Sequence, residues 1–126
     1  HFVHKSETGV LAVVGVLVEE GEHDPSWDPI LNALPSEPGD ARHIEGLDLD
    51  LGEFMPTQER YYRYVGSLTT PPCTEGVEWV VMADKERISP EQIASMASHL
   101  HDNNRPVQPT GNRELLLVST TRIAGP

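Results

Sequence analysis

Hydrophobic and polar positions alternate along this chain in short stretches, and those stretches predict strands more often than helices. Residues 1–4, His1-Phe2-Val3-His4, read as an opening strand, followed by a polar turn over residues 5–9. Residues 10–18 form a nine-residue apolar run, too short for a membrane and rich in β-branched side chains, which predicts a strand covered on both faces. Residues 19–24 read as an acidic connection, and residues 27–34 as a short amphipathic helix stopped before Pro35. A loop is expected over residues 36–42. Leu47, Leu49 and Leu51 alternate with Asp48 and Asp50, which predicts a half-exposed strand or extended segment.

Residues 61–65 and 78–82 are the next predicted strands, and residues 66–76 between them form a loop rich in Thr, Pro and Gly. Ser89-Pro90-Glu91 predicts a helix start, because serine caps and proline suits the first turn; that helix runs to about His101. Residues 103–106 read as a turn and residues 115–118 as a final strand. With strands dominant, helices short and no βαβ alternation, the pattern predicts a mainly β protein with peripheral helices. It marks no domain boundary and no repeat.

Charge narrows the partners. The 126 residues carry 9 Lys+Arg against 20 Asp+Glu, a formal net charge of -11. A nucleic-acid partner needs clustered cations, so none is expected; no apolar run approaches the ~20 residues of a membrane span, so no membrane partner is expected either. The chain opens inside a hydrophobic element, without an initiator Met or an apolar leader, which predicts a chain cut from a longer one. Cys73 has no partner cysteine in the chain.

Six histidines raise the question of a metal. His23 and His43 sit in acidic loops and read as solvated, while His99 and His101 close a helix, where a cation suits the dipole. His1 and His4 lie on a strand, where side chains alternate, so the two rings face opposite sides and at most one can be a ligand. Parity alone leaves open which. No zinc-finger spacing, nucleophile elbow or phosphate loop is present.

Residues 64–79, Tyr64-Val65-Gly66-Ser67-Leu68-Thr69-Thr70-Pro71-Pro72-Cys73-Thr74-Glu75-Gly76-Val77-Glu78-Trp79, strongly resemble the signature stretch of the α-class carbonic anhydrases. Asn103 to Pro109 with Arg113, the apolar strand from Gly9 to Gly15 and the opening His-Phe-Val-His match the same family in order. The resemblance implies zinc-dependent reversible hydration of carbon dioxide to bicarbonate. It also implies a large central, mostly antiparallel twisted sheet with short peripheral helices, of which residues 1–126 would be the C-terminal half and so incomplete.

Position by position, His1 resembles the third of three zinc-binding histidines, and His4 a nearby structural one. Thr69 resembles the threonine that orients the zinc-activated hydroxide, handing its own proton to a buried carboxylate. Thr70 resembles its neighbour in the bicarbonate site, and Val3, Val13, Leu68, Val77 and Trp79 the apolar wall where carbon dioxide waits. A cis bond between Pro71 and Pro72 is carried over too.

Three imidazoles leave Zn²⁺ an open fourth position for water, and a small uncharged substrate needs an apolar slot beside it. The family's other two zinc histidines, its buried glutamate and its proton-shuttle histidine would precede this chain, so the chain alone is expected to be inactive. An inactive relative kept as a binding module, or a fragment without function, are the alternatives. The implied partners are carbon dioxide and bicarbonate and the N-terminal half of the domain. A homodimer is allowed. The resemblance further implies a Cys73 disulfide to a cysteine outside the chain, which suits a periplasmic or secreted setting.

Overall fold

The computed structural model describes residues 1–39, 43–57 and 60–119, and these form two compact units. One takes residues 1–17, 56–85 and 104 onward; the other takes Val18–Met55 and Glu86–Asn103. Each unit gathers segments far apart in sequence, so a boundary has no single place on the chain at which composition could mark it.

The first unit is a five-stranded sheet of order β1-β2-β5-β4-β7. Its strands are β1 (Phe2–Lys5), β2 (Leu11–Gly15), β4 (Arg60–Ser67), β5 (Glu75–Met82) and β7 (Leu116–Ser119). β2 and β5 run parallel, and the other neighbours are antiparallel. The mixed, mainly β architecture agrees with the expected class, with β4 and β5 each longer than their predicted cores. Cα register aligns Val3 with Val13, Val13 with Trp79, and Trp79 with Tyr64. Opposed residues share a face, so this row crosses four strands on one side. Val13 and Trp79 of this row form the buried core together with Val77, with Leu11, Tyr64, Leu68 and Val81 packed around them.

The run over residues 10–18 is not one strand covered on both faces. β2 ends at Gly15, Val13 is 2% exposed, and Val10 and Leu17 are more than half exposed. The polar turn sets the first limit: Ser6 N–H donates to Val10 O at 2.9 Å, with Gly9 at φ 88°. Hydrophobicity was uniform along the run, but coverage is not.

The second unit pairs β3 (Val18–Glu20) with β6 (Glu86–Ile88) in parallel beside two helices, α1 (Asp28–Ala33) and α2 (Pro90–Leu100). Residues 19 and 20, expected in a connection, belong to β3; strands this short display no period. No strand forms over residues 47–51. Leu47 and Leu49 are half-buried, but Asp50 accepts a hydrogen bond from Gly52 N–H at 2.9 Å and starts a 3-10 helix, Leu51–Phe54. The side-chain cap breaks the extended run. Residues 40–42 of the expected loop lie outside the described residues. The Pro71–Pro72 bond is cis.

α2 begins as its sequence predicts, with Ser89 as N-cap and Gln92 closing a capping box. Gln92 does more than cap. Its Oε1 accepts from Ser89 N–H and Asp24 N–H, both at 3.1 Å, and its Nε2 donates to Asp24 O at 2.7 Å and Asp28 Oδ1 at 2.8 Å. One 5%-exposed amide thus ties β6, α1 and α2 together. Gln92→Leu strands several backbone groups without partners and should cost roughly 2–4 kcal/mol. Urea unfolding of the intact protein measures it, and a loss below about 0.5 kcal/mol, the size of an ordinary surface change, contradicts it.

Candidate functional site

Strand parity brings His1 to the same side as Val3, Val13 and Trp79. The His1 ring stands edge-on to the Trp79 indole, centroids 5.2 Å apart at 80°. His4 faces the other way; its Nδ1 donates to Phe2 O at 3.1 Å. Tyr64 lies parallel to Trp79 at 6.3 Å, and the Arg113 guanidinium sits 5.8 Å from the Tyr64 ring centre. Burial raises the Tyr64 hydroxyl above its ordinary value, with the Arg113 charge pulling the other way, so the phenol stays neutral at physiological pH.

Gly66 permits this stacking. A Cβ there would lie 3.0 Å from Trp79 Cδ1 and 3.1 Å from Tyr64 Cε2. Directly after it the β4–β5 register slips: Gly66 faces Val77, but Ser67 faces Glu75. The slip is a bulge that turns the chain out of the sheet, and the skipped residue, Gly76, has φ 82°. Trp79 Nε1 donates to Ser67 O at 3.0 Å, Leu68 N–H to Thr74 O at 2.9 Å, and Cys73 N–H to Thr70 O at 2.8 Å. The loop that carries Thr69 is therefore closed at its root, its waist and its tip.

An open cavity of about 510 Å³ lies over this face, bounded by His1, Tyr64, Ser67, Thr69, Trp79 and Arg105 among others. Three sequence-predicted residues, His1, Thr69 and Trp79, converge on it. The others sit elsewhere. Val13 and Val77 are packed inside the core beside Trp79, and Leu68 packs against that core. Val3 shares the face but is 63% exposed and outside the cavity lining, as is exposed Thr70.

Among the described residues, no group of three His, Cys, Asp or Glu side chains could hold a metal ion. His1 offers one imidazole to the cavity. A catalytic zinc needs about three protein ligands, so these residues do not by themselves make a zinc site.

Sequence reasoning gave no role to Ser67, Tyr64, Arg105 or Arg113. Arg113 donates to Thr110 O, Val65 O and Pro109 O at 3.0–3.3 Å, fastening the 109–113 turn to β4. Two arginines in an acidic chain, near a Pro-rich turn, were the available signal.

A family model described as eukaryotic-type carbonic anhydrase matches residues 3–119. A carbonic anhydrase of Nostoc is 43% identical over 113 residues, covering 90% of this chain and 43% of that protein. Among solved structures, a hyperthermostable carbonic anhydrase from a hydrothermal vent chimney superposes with a TM-score of 0.86 at 41% identity, over 94% of this chain and 53% of that one. The α-carbonic anhydrase of Thermovibrio ammonificans, in complex with the inhibitor sulfanilamide, gives 0.84 at 40%, over 91% and 51%. The chain spans about half the length of the relatives it matches.

The tight fit at Gly66 makes a direct prediction. Gly66→Ala must push one of two packed rings, which should cost about 1–3 kcal/mol. Chemical unfolding monitored by tryptophan emission reads the loss, and parent stability with an unshifted spectrum would contradict it.

Proposed function

Because this chain belongs to the eukaryotic-type, or α, carbonic anhydrase family, we propose that it serves the zinc-dependent reversible hydration of carbon dioxide as the C-terminal half of one domain. The observation that carries this reading is the meeting of His1, Thr69 and Trp79 around one cavity, from three separate segments.

In this reading His1 contributes one zinc ligand, and the remaining ligands come from residues outside this sequence. Zinc, when held there, makes water a usable nucleophile near pH 7. Thr69 Oγ accepts a hydrogen from the attacking oxygen and so aims its lone pair at the carbon of carbon dioxide. The new C–O bond forms as a C=O π pair moves onto oxygen, giving bicarbonate, and the proton leaves to solvent. Trp79, stacked on the neutral Tyr64 ring, presents apolar surface suited to an uncharged substrate. Val13 and Val77 pack beside the indole with Leu68 against them, Val3 shares the face beyond the cavity, and Thr70 adjoins Thr69 in the loop.

Thr69→Ala should lower turnover by ~10²–10³ with zinc content unchanged, the usual cost of one oriented hydrogen bond. Thr70→Ala should be milder. His1→Ala should lose zinc itself. Stopped-flow hydration paired with metal analysis separates the three; equal losses at Thr69 and Thr70, or zinc lost with Thr69, would contradict the roles.

The assembly has its own test. Val3, Leu17, Leu115 and Leu117 are each more than half exposed, an apolar extent that suits cover by further chain. Residues 1–126 alone should bind zinc weakly and hydrate no carbon dioxide, and adding the residues of a full-length relative that precede them should restore both together. Activity from residues 1–126 unaided overturns the half-domain reading; zinc uptake by the joined halves without hydration favours an inactive relative that binds. Cys73, half-buried with φ 55° at the loop tip, is placed by this reading in a disulfide to a cysteine outside the chain, in a periplasmic or secreted protein.

A further inference from the structure

We infer that Arg105, acting through the Ser67 hydroxyl, is a positioning residue for Thr69; the inference rests on the role of Thr69 proposed above. Arg105 lies in the segment after α2, far from the loop in sequence, yet its Nη1 donates to Ser67 Oγ at 2.5 Å. A guanidinium can only donate. With one Ser67 lone pair taken in this way, the single hydroxyl hydrogen points to the remaining acceptor in reach, Leu68 O at 3.0 Å. The direction of the whole chain of bonds is fixed by the charged donor at its head.

That carbonyl belongs to the planar peptide unit whose N–H is Thr69's own. Holding Leu68 O therefore holds the rotation of the unit from which Thr69 departs. The unit before it is held from the other side, since Trp79 Nε1 donates to Ser67 O at 3.0 Å. Leu68 N–H, donating to Thr74 O at 2.9 Å, closes the set. Arg105 and Ser67 also border the same cavity as Thr69, so the hydroxyl relay is part of the site's wall. Remove Arg105 and the Ser67 hydroxyl is free to turn, the Leu68 carbonyl loses its directed donor, and Thr69 Oγ inherits the freedom.

The test uses the intact protein carrying Arg105→Met, Arg105→Lys, Ser67→Ala, or Ser67→Ala with Arg105→Met. Zinc content, kcat and KM for hydration, and the ¹H–¹⁵N resonance of the Thr69 amide are read for each. Arg105→Met should lower kcat roughly 10- to 100-fold, the scale of a misaimed reactive group, with KM and zinc held. Arg105→Lys, still a cationic donor, should recover most of the rate and return the Thr69 resonance towards the parent position. The double variant should be no slower than the worse single one, because both changes break one chain of bonds. A folded, zinc-loaded Arg105→Met protein with parent kcat and an unmoved Thr69 amide overturns the inference, as do two losses that multiply. Should Arg105→Met fail to fold, Ser67→Ala, which deletes one oxygen, decides by the same readouts. Parent activity in Thr69→Ala would instead sink the proposed function, and the Thr69 resonance would still judge the positioning.

Discussion

The indole N–H of Trp79 organises the first unit. A buried tryptophan usually finds a partner for that donor, and in this sheet the partner is the carbonyl of Ser67. To offer it, β4 must slip register after Gly66, and Gly66 must have no side chain to hold the ring away. The bulge, the missing Cβ and the outward loop follow from one hydrogen bond and one large ring. Gly15 makes a useful contrast. A Cβ there would sit 3.6–3.7 Å from Val81, His1 and Trp79, ordinary contact distance. Of these two glycines, sterics force only Gly66.

From that ring the site spreads to segments with no sequence proximity. The His1 ring stands steeply against it, Tyr64 lies parallel to it, and Arg113 sits over the Tyr64 ring. Both arginines spend their donors on backbone carbonyls and a hydroxyl rather than on exposed acids. In a chain of net charge -11 that is informative, because a surface ion pair contributes about 0–1 kcal/mol and fixes little geometry. The planar fork of Arg113, set among three carbonyls, orders its turn in a way a flexible ammonium does not.

Much of this was legible in the residues, for identifiable reasons. The opposed faces of His1 and His4 needed only the two-residue period of a strand. The start of α2 needed only Ser89, Pro90 and Gln92 at their cap positions. What escaped was set by coverage and by distant partners. Val10 and Leu17 are as apolar as Val13, and nothing local tells that only Val13 is enclosed. β3 exists because β6, more than sixty residues on, lies beside it. Asp50 caps a 3-10 turn that takes Leu51 out of the alternating leucine segment. At the site, the motif pointed to Thr69 and Trp79, but not to which wall residues line the cavity and which lie in the core. Arg105 was visible only as part of a pattern, since its hydroxyl partner lies 38 positions away.

In the proposed reading, binding a metal and aiming the oxygen it activates are separable tasks, and the residues of this chain would divide between them unequally. His1 can give one ligand. In the proposed reading the loop held by Trp79, Ser67 and Arg105 concerns direction only, and its bonds close within the first unit. Orientation by preformed bonds costs no rearrangement when charge moves, which is where such sites gain most of their rate. A half-domain with this loop intact but ligands supplied from outside would thus keep its aim while lacking its ion. Under that proposal, metal affinity in the assembled protein would report on the joining of two pieces, and turnover per bound metal on the rigidity of one loop.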